Sequence, residues 1–357
     1  YVAELGSHRI RAISQDGTVS TFAGDGSAGS LNGPKLKARF NAPADALPGF
    51  AGEVYVADLN NQVVRVIDKS GTVSTFAGKG VSGFVDGYKT VARFNLPTSL
   101  AADESGVYVT DLGNHAVRLV TVDGQVVTLA GKGVAGFKDG PVAQALFSSP
   151  YGIARGLGGG LYVADSGNDR IRFVTTSGMV LTVAGSTKGF KDGPIQVALF
   201  NQPYGISVAV DGAVYVSEIG NRRVRRVGLD GLVYTVFGDG SKTTLDQAFA
   251  VAIDGFGNGW VPSFSQHRVH RFRLPTLVCD DGNPCTTDTC NKKTGICGFV
   301  SKSTGASCGK GCFLTQICQS GTCVAGQPKD CDDNNNCTGD YCTDGGCKHV
   351  IIPKCKP

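Results

Sequence analysis

Residues 161–172 read LYVADSGNDRIR, and versions of this stretch recur along the chain. Each copy begins at an aromatic residue, and the six starts are Tyr1, Tyr55, Tyr108, Tyr162, Tyr215 and Trp260. Successive starts lie 54, 53, 54, 53 and 45 residues apart. A fixed period of this length, built from short strand-like runs without a helical stretch, predicts a repeat array of small sheets.

Each period predicts four strands separated by turn residues. In the fourth copy the strands are PYGIAR (150–155), GLYVAD (160–165), RIRFVTT (170–176) and MVLTVAG (179–185). β-branched and aromatic residues fill these runs, and Gly, Asn and Asp stand between them. Six such sheets bury their faces by packing around an axis. The predicted fold is therefore all-β, a six-bladed β-propeller with blades at 1–40, 41–94, 95–147, 148–200, 201–249 and 250–276.

The repeats also resemble a known family. The combination of P-x-G-I, L-Y-V-A-D, G-N-x-x-I-R and V-x-T-x-A-G is similar to the NHL repeat over about residues 1–275. This resemblance implies the propeller fold but not one function, because NHL-like propellers include RNA binders, amidating lyases, receptor sensor domains and extracellular scaffolds.

Cysteine usage divides the chain in two. None of the 13 cysteines precedes Cys279, so we predict a propeller at 1–276 and a disulfide-rich domain at 277–357, with little regular secondary structure. Such a density of cysteines in a short segment is typical of a disulfide scaffold, which persists in oxidising compartments. The sequence therefore predicts a secreted or cell-surface protein. It starts within a repeat, so an upstream segment is expected, and a secretion signal is one candidate.

The tail repeats a cysteine spacing. Cys279-x5-Cys285-x4-Cys290-x6-Cys297 returns from Cys331 to Cys347, with a shortened copy from Cys312 to Cys323. This pattern resembles the C-D-D-G-N-x-C-T-x-D-x-C repeats of large secreted surface proteins. The predicted disulfide residues are Cys279, Cys285, Cys290, Cys297, Cys308, Cys312, Cys318, Cys323, Cys331, Cys337, Cys342, Cys347 and Cys355. Their connectivity stays open, and the odd number leaves one cysteine for a free thiol or a link to another chain.

Two further tail features suggest ligands or modification. Clustered carboxylate and amide oxygens are suitable calcium ligands, but turns rich in Asp and Asn have the same sequence pattern. The candidate calcium ligands are Asp280, Asp281, Asn283, Asp288, Asp332, Asp333 and Asp340. No other cofactor is expected. Asn336 begins an Asn-Cys-Thr sequence, which matches the N-glycosylation pattern.

An acidic residue stands three positions into five of the copies. These are Glu4, Asp58, Asp111, Asp165 and Glu218, each followed by an arginine, namely Arg11, Arg65, Arg118, Arg172 and Arg225. A ring of carboxylates suits a cation, but a half-buried acid needs a donor, and we expect a structural carboxylate–arginine set. The sixth copy has Ser263 and His270 instead, which disfavours a symmetric metal ring.

Histidine offers the main alternative of an enzyme. His8, His115 and His267 occupy one repeat position, and three imidazoles suit a catalytic zinc. That position follows the second strand, away from the axis, so we expect the three histidines to cap turns, and we predict no catalytic residue.

The net charge of +4 belongs to the propeller, because the tail has as many Lys as Asp. So small an excess of positive charge disfavours a nucleic-acid-binding function. No apolar run is long enough to span a bilayer.

These features predict a non-enzymatic extracellular binding or assembly protein with a protein or glycan partner. The alternatives are a metal-dependent lyase or hydrolase in the propeller channel and a small-ligand sensor domain. Blade 1 opens at its second strand and blade 6 has no recognisable fourth strand, so an unpaired edge is expected. Upstream residues, segment 349–353 or a neighbouring copy are candidates to pair with it, and the last would give a homo-oligomer or a head-to-tail filament.

Overall fold

A computed structural model describes residues 1–14, 16–255 and 257–274 with their side chains, and the backbone of six strands between residues 286 and 351. The chain divides into two compact units, Tyr1–Pro275 and Thr276–Pro357. The first unit is an all-β six-bladed propeller, which confirms the predicted fold class. No helix in the described part is long and apolar enough to cross a membrane.

Blades 2 to 5 each contain four antiparallel strands in chain order from the inside out. The inner strands are Pro43–Pro48, Pro97–Asp103, Pro150–Arg155 and Pro203–Val208, and the second strands are Val54–Asp58, Gly106–Asp111, Leu161–Asp165 and Val214–Glu218. The third strands are Val63–Ile67, Ala116–Thr121, Arg170–Val174 and Arg223–Val227, and the fourth are Thr72–Ala77, Gln125–Ala130, Met179–Ala184 and Leu232–Phe237. Tyr55, Tyr108, Tyr162 and Tyr215 lie on equivalent second strands, as predicted.

The prediction of four strands per blade is incomplete. A two-residue strand from the loop before each of these blades pairs with the beginning of its fourth strand, and these short strands are Gly33–Pro34, Gly87–Tyr88, Gly140–Pro141 and Gly193–Pro194. Each opens with a glycine at positive φ, from 126° to 133°, where a side chain is strained. The four glycines therefore allow the loop to run back along the sheet.

The first and last blades have three strands each within the described residues. Blade 1 contains Val2–Glu4, Arg9–Ile13 and Val19–Ala23, and blade 6 contains Ala252–Ile253, Asn258–Ser263 and Arg268–Arg273. A single turn of 3-10 helix joins the second and third strands in four blades, at Leu59–Asn61, Leu112–Asn114, Ser166–Asn168 and Phe264–Gln266.

Apolar cores lie between successive blades rather than within them. Five clusters join blade 1 to 2, 2 to 3, 3 to 4, 4 to 5 and 5 to 6. The first four inter-blade loops contain an Ala-x-Phe sequence, and its phenylalanine has no exposed surface, at Phe40, Phe94, Phe147 and Phe200. Such burial stabilises the fold by roughly 1.5 to 3 kcal/mol per ring. The repeated loop is thus part of the packing between blades.

The described strands of the second unit form three two-stranded hairpins. Their strands are Thr286–Cys290 with Cys297–Ser301, Ile317–Gln319 with Thr322–Val324, and Thr338–Thr343 with Gly346–Ile351. The register sets one pair of cysteine positions directly opposite each other in every hairpin: 290 with 297, 318 with 323, and 342 with 347. Positions 349–351 pair inside the third hairpin.

Candidate functional site

In blades 2 to 5 the repeated acids end the second strands and are fully buried. Asp165 accepts hydrogen bonds from Arg172 Nη1 at 2.6 Å, Asn168 Nδ2 at 2.8 Å and the backbone N–H of Ser148 at 2.7 Å. The same ion pairs recur at 2.9 Å for Asp58–Arg65, 2.7 Å for Asp111–Arg118 and 3.0 Å for Glu218–Arg225. Each carboxylate therefore joins its own turn, its third strand and the start of its inner strand.

A second acid, from the preceding loop, completes each arginine site in blades 3 to 5. These loops contain a G-F-x-D-G sequence at 83–87, 136–140 and 189–193. Its aspartate lies 2.5 Å from the guanidinium at Asp86–Arg118, Asp139–Arg172 and Asp192–Arg225. In blade 2 Asn32 Oδ1 takes this place, 2.5 Å from Arg65 Nη2. Sequence reasoning missed these partners, although the invariant spacing of the G-F-x-D-G element was a signal for them.

Two aromatic rings enclose these guanidinium groups. The Arg172 carbon Cζ lies 5.0 Å from the ring centroids of both Phe137 and Phe147, and Phe84 with Phe94 and Phe190 with Phe200 enclose Arg118 and Arg225 in the same way. A cation over an aromatic face gains further electrostatic attraction. Buried arginine, two acids and two phenylalanines thus form one inter-blade joint.

The joint weakens at the two ends of the array. In blade 1, Arg11 and Glu4 are partly exposed and lie 3.4 Å apart. In blade 6, Ser263 accepts a hydrogen bond from the backbone N–H of Asp246, and His270 contacts Gln266 at 3.0 Å. Within the described residues, no three His, Cys, Asp or Glu side chains are grouped to hold a metal ion.

The histidine position is a second connection between blades. His8 Nδ1 accepts the backbone N–H of Ala42 at 3.1 Å, and His115 Nδ1 accepts that of Ser149 at 2.9 Å. Gln62 and Asp169 make the same contact in blades 2 and 4, with Leu96 and Gln202. His267 occupies the equivalent left-handed backbone position in blade 6. The structure therefore distributes the three histidines over separate blades instead of bringing them together.

We expect His115→Ala to destabilise the propeller by about 1 kcal/mol, because the partly buried N–H of Ser149 loses its acceptor. His115→Gln should be close to neutral, since Gln62 already makes this contact in blade 2. Denaturant unfolding of both variants checks the prediction. Equal losses for Ala and Gln would show that the imidazole has another role.

Burial of the acids also predicts a pH dependence. Desolvation raises the pKa of Asp111 to about 6 and that of Glu218 to about 7, against the arginine and hydrogen bonds that oppose it. The unfolded chain has the usual value of 4.5 for Glu. Between pH 4.5 and 7, Glu218 keeps its proton in the folded protein but has lost it in the unfolded chain. The free energy of unfolding therefore falls as pH rises through this range.

Thermal unfolding between pH 5 and 7.5 tests this sign. We expect the melting temperature to decrease as pH rises and the slope to be shallower in Glu218→Gln. A melting temperature that rises with pH over this window, with the same slope in both proteins, would contradict the prediction.

The two ends of the propeller differ in charge. The turns between first and second strands and between third and fourth strands share one end, because the strands are antiparallel. Acids outnumber bases there, with Asp16, Glu53, Asp68, Asp103, Glu104, Asp123, Asp211, Asp230 and Asp254 against Lys35, Lys69, Lys89, Arg155 and Arg273. We call this the acidic end.

The inter-blade loops begin and end at the opposite side and carry the reverse excess. Lys35 and Lys89 reach back to the acidic end, where their backbone N–H groups donate to Gly71 and Gly124. The other loop bases are Lys37, Arg39, Lys79, Arg93, Lys132, Lys138, Lys188, Lys191 and Lys242, and the loop acids are Asp25, Asp86, Asp139, Asp192, Asp239 and Asp246. Three of these acids are the partners of buried arginines. The loops are therefore a basic surface.

Large apolar side chains protrude from turns of the acidic end. Phe50 is 81% exposed, Val122 79%, Leu229 76% and Leu157 65%, the highest values among the large apolar residues described. Leu157 and Leu229 belong to neighbouring blades, and both lie within 4 Å of the position a Cβ would take at Gly212. Exposed apolar side chains grouped among polar residues are typical of interaction surfaces.

A cavity of about 350 Å³ opens between blades 3 and 4 at this same end. Asp103, Tyr108 and Arg155 line it together with Leu129 and Val142. Sequence reasoning did not predict it. The predicted calcium ligands, the Asn336 glycosylation site and the cysteine side chains lie outside the residues described with side chains.

Both units of the chain are similar to known proteins. Residues 278–300 and 330–352 match the family model of the Dictyostelium (slime mold) repeat. Protein psiQ of Dictyostelium discoideum is 38% identical over 86 residues, which is 22% of this chain and 8% of psiQ.

The propeller matches other proteins. Protein SUPPRESSOR OF QUENCHING 1, chloroplastic, of Arabidopsis thaliana is 34% identical over 188 residues, 49% of this chain and 18% of that protein. Human NHL repeat-containing protein 2 is 27% identical over 231 residues, 57% of this chain and 32% of that protein. The resemblance to NHL-repeat propellers is thereby confirmed. The chain spans less than a third of the length of these relatives.

A solved nidogen/laminin complex contains a chain with the same fold. Its TM-score is 0.53 at 15% identity, over 76% of this chain and 88% of that chain. Fold similarity at this identity does not carry a function.

Proposed function

We propose that this chain is a non-enzymatic extracellular protein that acts in binding or assembly, with the propeller as a rigid scaffold and the tail stabilised by disulfides. The observation that carries the proposal is the engagement of the repeated ionisable groups. Asp58, Asp111, Asp165 and Glu218 each bind a buried arginine, and His8 and His115 accept backbone hydrogen bonds from the next blade. Groups held in this way build the array instead of acting on a substrate.

The tail supports the extracellular part of the proposal. All 13 cysteines lie from Cys279 onward, and the hairpin register opposes positions 290 and 297, 318 and 323, and 342 and 347. Directly opposed strand positions are close enough for a bridge between cysteines. We expect peptide mapping without reductant to recover these three pairs as linked peptides. Recovery of the six cysteines as free thiols from freshly secreted protein would refute this part.

Charge supports assembly. An acidic end with protruding Phe50, Leu157 and Leu229 is complementary to the basic surface of the inter-blade loops on a second copy. Opposite charges on opposite ends of one molecule favour a head-to-tail contact, which need not close into a ring. The partner proposed for this surface is therefore another copy of the chain.

Sedimentation velocity of the purified full chain tests the assembly proposal. We expect larger species that grow with protein concentration at low salt and decrease at roughly 0.5 M salt, where the Debye length is only a few Å. The double variant Leu157→Ser, Leu229→Ser should weaken association. Leu181→Ser is the control, because Leu181 is 47% exposed on the outer strand of blade 4. A monomer at every concentration and salt would remove the assembly proposal.

A further inference from the structure

We propose that the cavity between blades 3 and 4 is a binding site for a neutral sugar ring. This inference rests on the proposed function as a binding protein and names a ligand class for it. The cavity has a volume of about 350 Å³, and a second one of about 280 Å³ adjoins it through Leu129 and Val142. Ligand pockets of proteins begin at about 300 Å³, so the space accommodates one or two sugar rings.

Side chains that fill the first two junctions between blades are absent from this one. At the position of Leu129, blades 1 and 2 have Phe22 and Phe76, whose rings lie 4.6 and 4.8 Å from Tyr1 and Tyr55. Leu129 is smaller than phenylalanine, so one side of the Tyr108 ring is left open and lines the cavity. The aromatic pair of blades 1 and 2 is therefore absent from blade 3, and blades 4 and 5 have Val183 and Val236 at this position.

The loop before blade 4 also lacks a side chain that the first two loops have. Val142 stands where the two preceding loops have Lys35 and Lys89, and Lys35 Nζ covers the Phe22 ring at 4.4 Å. The hydrogen bond that holds this loop position is 2.7 Å from Gly24 to Lys35 and from Gly78 to Lys89, but 3.4 Å from Gly131 to Val142. A shorter side chain on a less tightly held loop leaves space between the blades.

The opposite wall is a glycine turn. Gly159 and Gly160 line the cavity at φ values of 86° and 72°. A Cβ at Gly160 would lie 2.5 Å from the Phe173 ring and 2.7 Å from a backbone oxygen, so a side chain does not fit. The turn therefore presents backbone to the cavity and no covering side chain.

Asp103, Tyr108 and Arg155 form a connected polar group at the rim, beside the 86% exposed side chain of Glu104. Arg155 Nε donates to Asp103 Oδ2 at 3.0 Å, and the Tyr108 hydroxyl contacts Asp103 at 3.1 and 3.2 Å. The Asp103 side chain is only 11% exposed, whereas that of Arg155 is 39% exposed. Glu104 lies 3.9 Å from Arg155 Nη2, beyond hydrogen-bond distance, and Thr175 and Thr176 complete the rim. The guanidinium thus keeps donors, and Glu104 keeps acceptors, for a ligand.

This combination suits neighbouring hydroxyl groups. A sugar hydroxyl donates to a carboxylate and accepts from a guanidinium, which matches Glu104 beside Arg155. The apolar face of the ring can pack on Tyr108, Leu129 and Val142. An anion would meet Asp103 and Glu104, and an organic cation would compete with Arg155 for the same carboxylates. A neutral ligand with many hydroxyls satisfies the site without either conflict.

The test is an array of neutral, acidic and amino-sugar oligosaccharides probed with the purified full chain, followed by calorimetric titration with the best neutral sugar. We expect neutral sugars to bind, with acidic and amino sugars weaker. Arg155→Gln should lower affinity about tenfold or more, as expected for losing a hydrogen bond to a charged group. Val142→Phe should do the same by filling the cavity.

Lys89→Phe is the matched control at the equivalent position between blades 2 and 3, and its affinity should equal that of the unchanged protein. Circular dichroism establishes that each variant is folded, and Arg155→Gln keeps the test valid if Val142→Phe does not fold. No binding of neutral sugars by folded protein, or binding that neither variant reduces, would overturn the sugar site. Salt-dependent self-association would persist if the sugar site were wrong. The proposed assembly function is therefore tested separately, by sedimentation velocity.

Discussion

Replacing Arg172 with methionine is expected to destabilise the propeller by about 3 to 5 kcal/mol, the cost of leaving a buried charge without its partner. Arg172 lies 2.6 Å from Asp165 and 2.5 Å from Asp139, and it also donates to the backbone oxygens of Leu146 and Lys138 at 3.1 and 3.0 Å. Its loss removes one guanidinium that connects three segments. Urea unfolding measures the change.

Arg11→Met is the matched control in blade 1. Arg11 and its partner Glu4 are partly exposed at 3.4 Å, and such pairs contribute about 1 kcal/mol or less. The milder Asp165→Asn should cost about 1 to 3 kcal/mol, because it removes a charge-assisted bond while keeping the shape. Ligand binding should remain intact in Asp165→Asn; lost binding with unchanged melting would assign the carboxylate to a site. Equal losses for Arg172→Met and Arg11→Met would contradict the account of the inter-blade joint.

Gly152→Ala should destabilise the protein by about 3 kcal/mol or more, as expected for a methyl group forced into a filled backbone contact. Gly152 lies on the inner strand of blade 4, and a Cβ there would be 2.2 Å from the carbonyl oxygen of Tyr204 on the inner strand of blade 5. Neither atom belongs to a flexible side chain, so the two strands must separate. Thermal unfolding checks the loss.

Gly158→Ala serves as the comparison in the same blade. Nothing lies within 4 Å of a Cβ at Gly158, and its φ is not positive. We expect its stability to stay within about 0.5 kcal/mol of the unchanged protein. If Gly152→Ala were equally mild, the inner strands would be less closely packed than the structure has them.

Sequence periodicity was sufficient to predict the fold because each repeat carries its own strand and turn residues. The spacing of seven between Asp165 and Arg172 places both on adjacent strands, where the register pairs Val163 with Arg172. Their contact therefore followed from local sequence. The same reasoning placed Tyr55, Tyr108, Tyr162 and Tyr215 on equivalent strands.

Contacts between blades could not be predicted from the sequence of a single repeat. Asp139 reaches Arg172 from a preceding loop 33 residues away, and a sequence pattern does not say which blade receives a loop side chain. The short fifth strands were missed because two residues such as Gly140–Pro141 are too few to show an alternating pattern.

The cavity between blades 3 and 4 could not be predicted from any one repeat. Leu129 and Val142 stand where the first two junctions have phenylalanine and lysine, and Val183 and Ile195 take the same positions at the next junction, so the glycines at 159 and 160 are the feature that the cavity adds. Repeats predict what blades share. A site at one junction is lined by residues from two blades. It can be found only when the structure shows which repeat positions lie next to each other.

The most direct test of an extracellular, disulfide-stabilised scaffold is a count of thiols in the secreted full chain. Mass spectrometry after alkylation under denaturing conditions without reductant should detect at most one modified cysteine, and after reduction all 13 should be modified. This result is predicted because an oxidising compartment pairs the cysteines of so small a domain. Modification of most cysteines without reductant would contradict the account and place the tail in a reducing compartment.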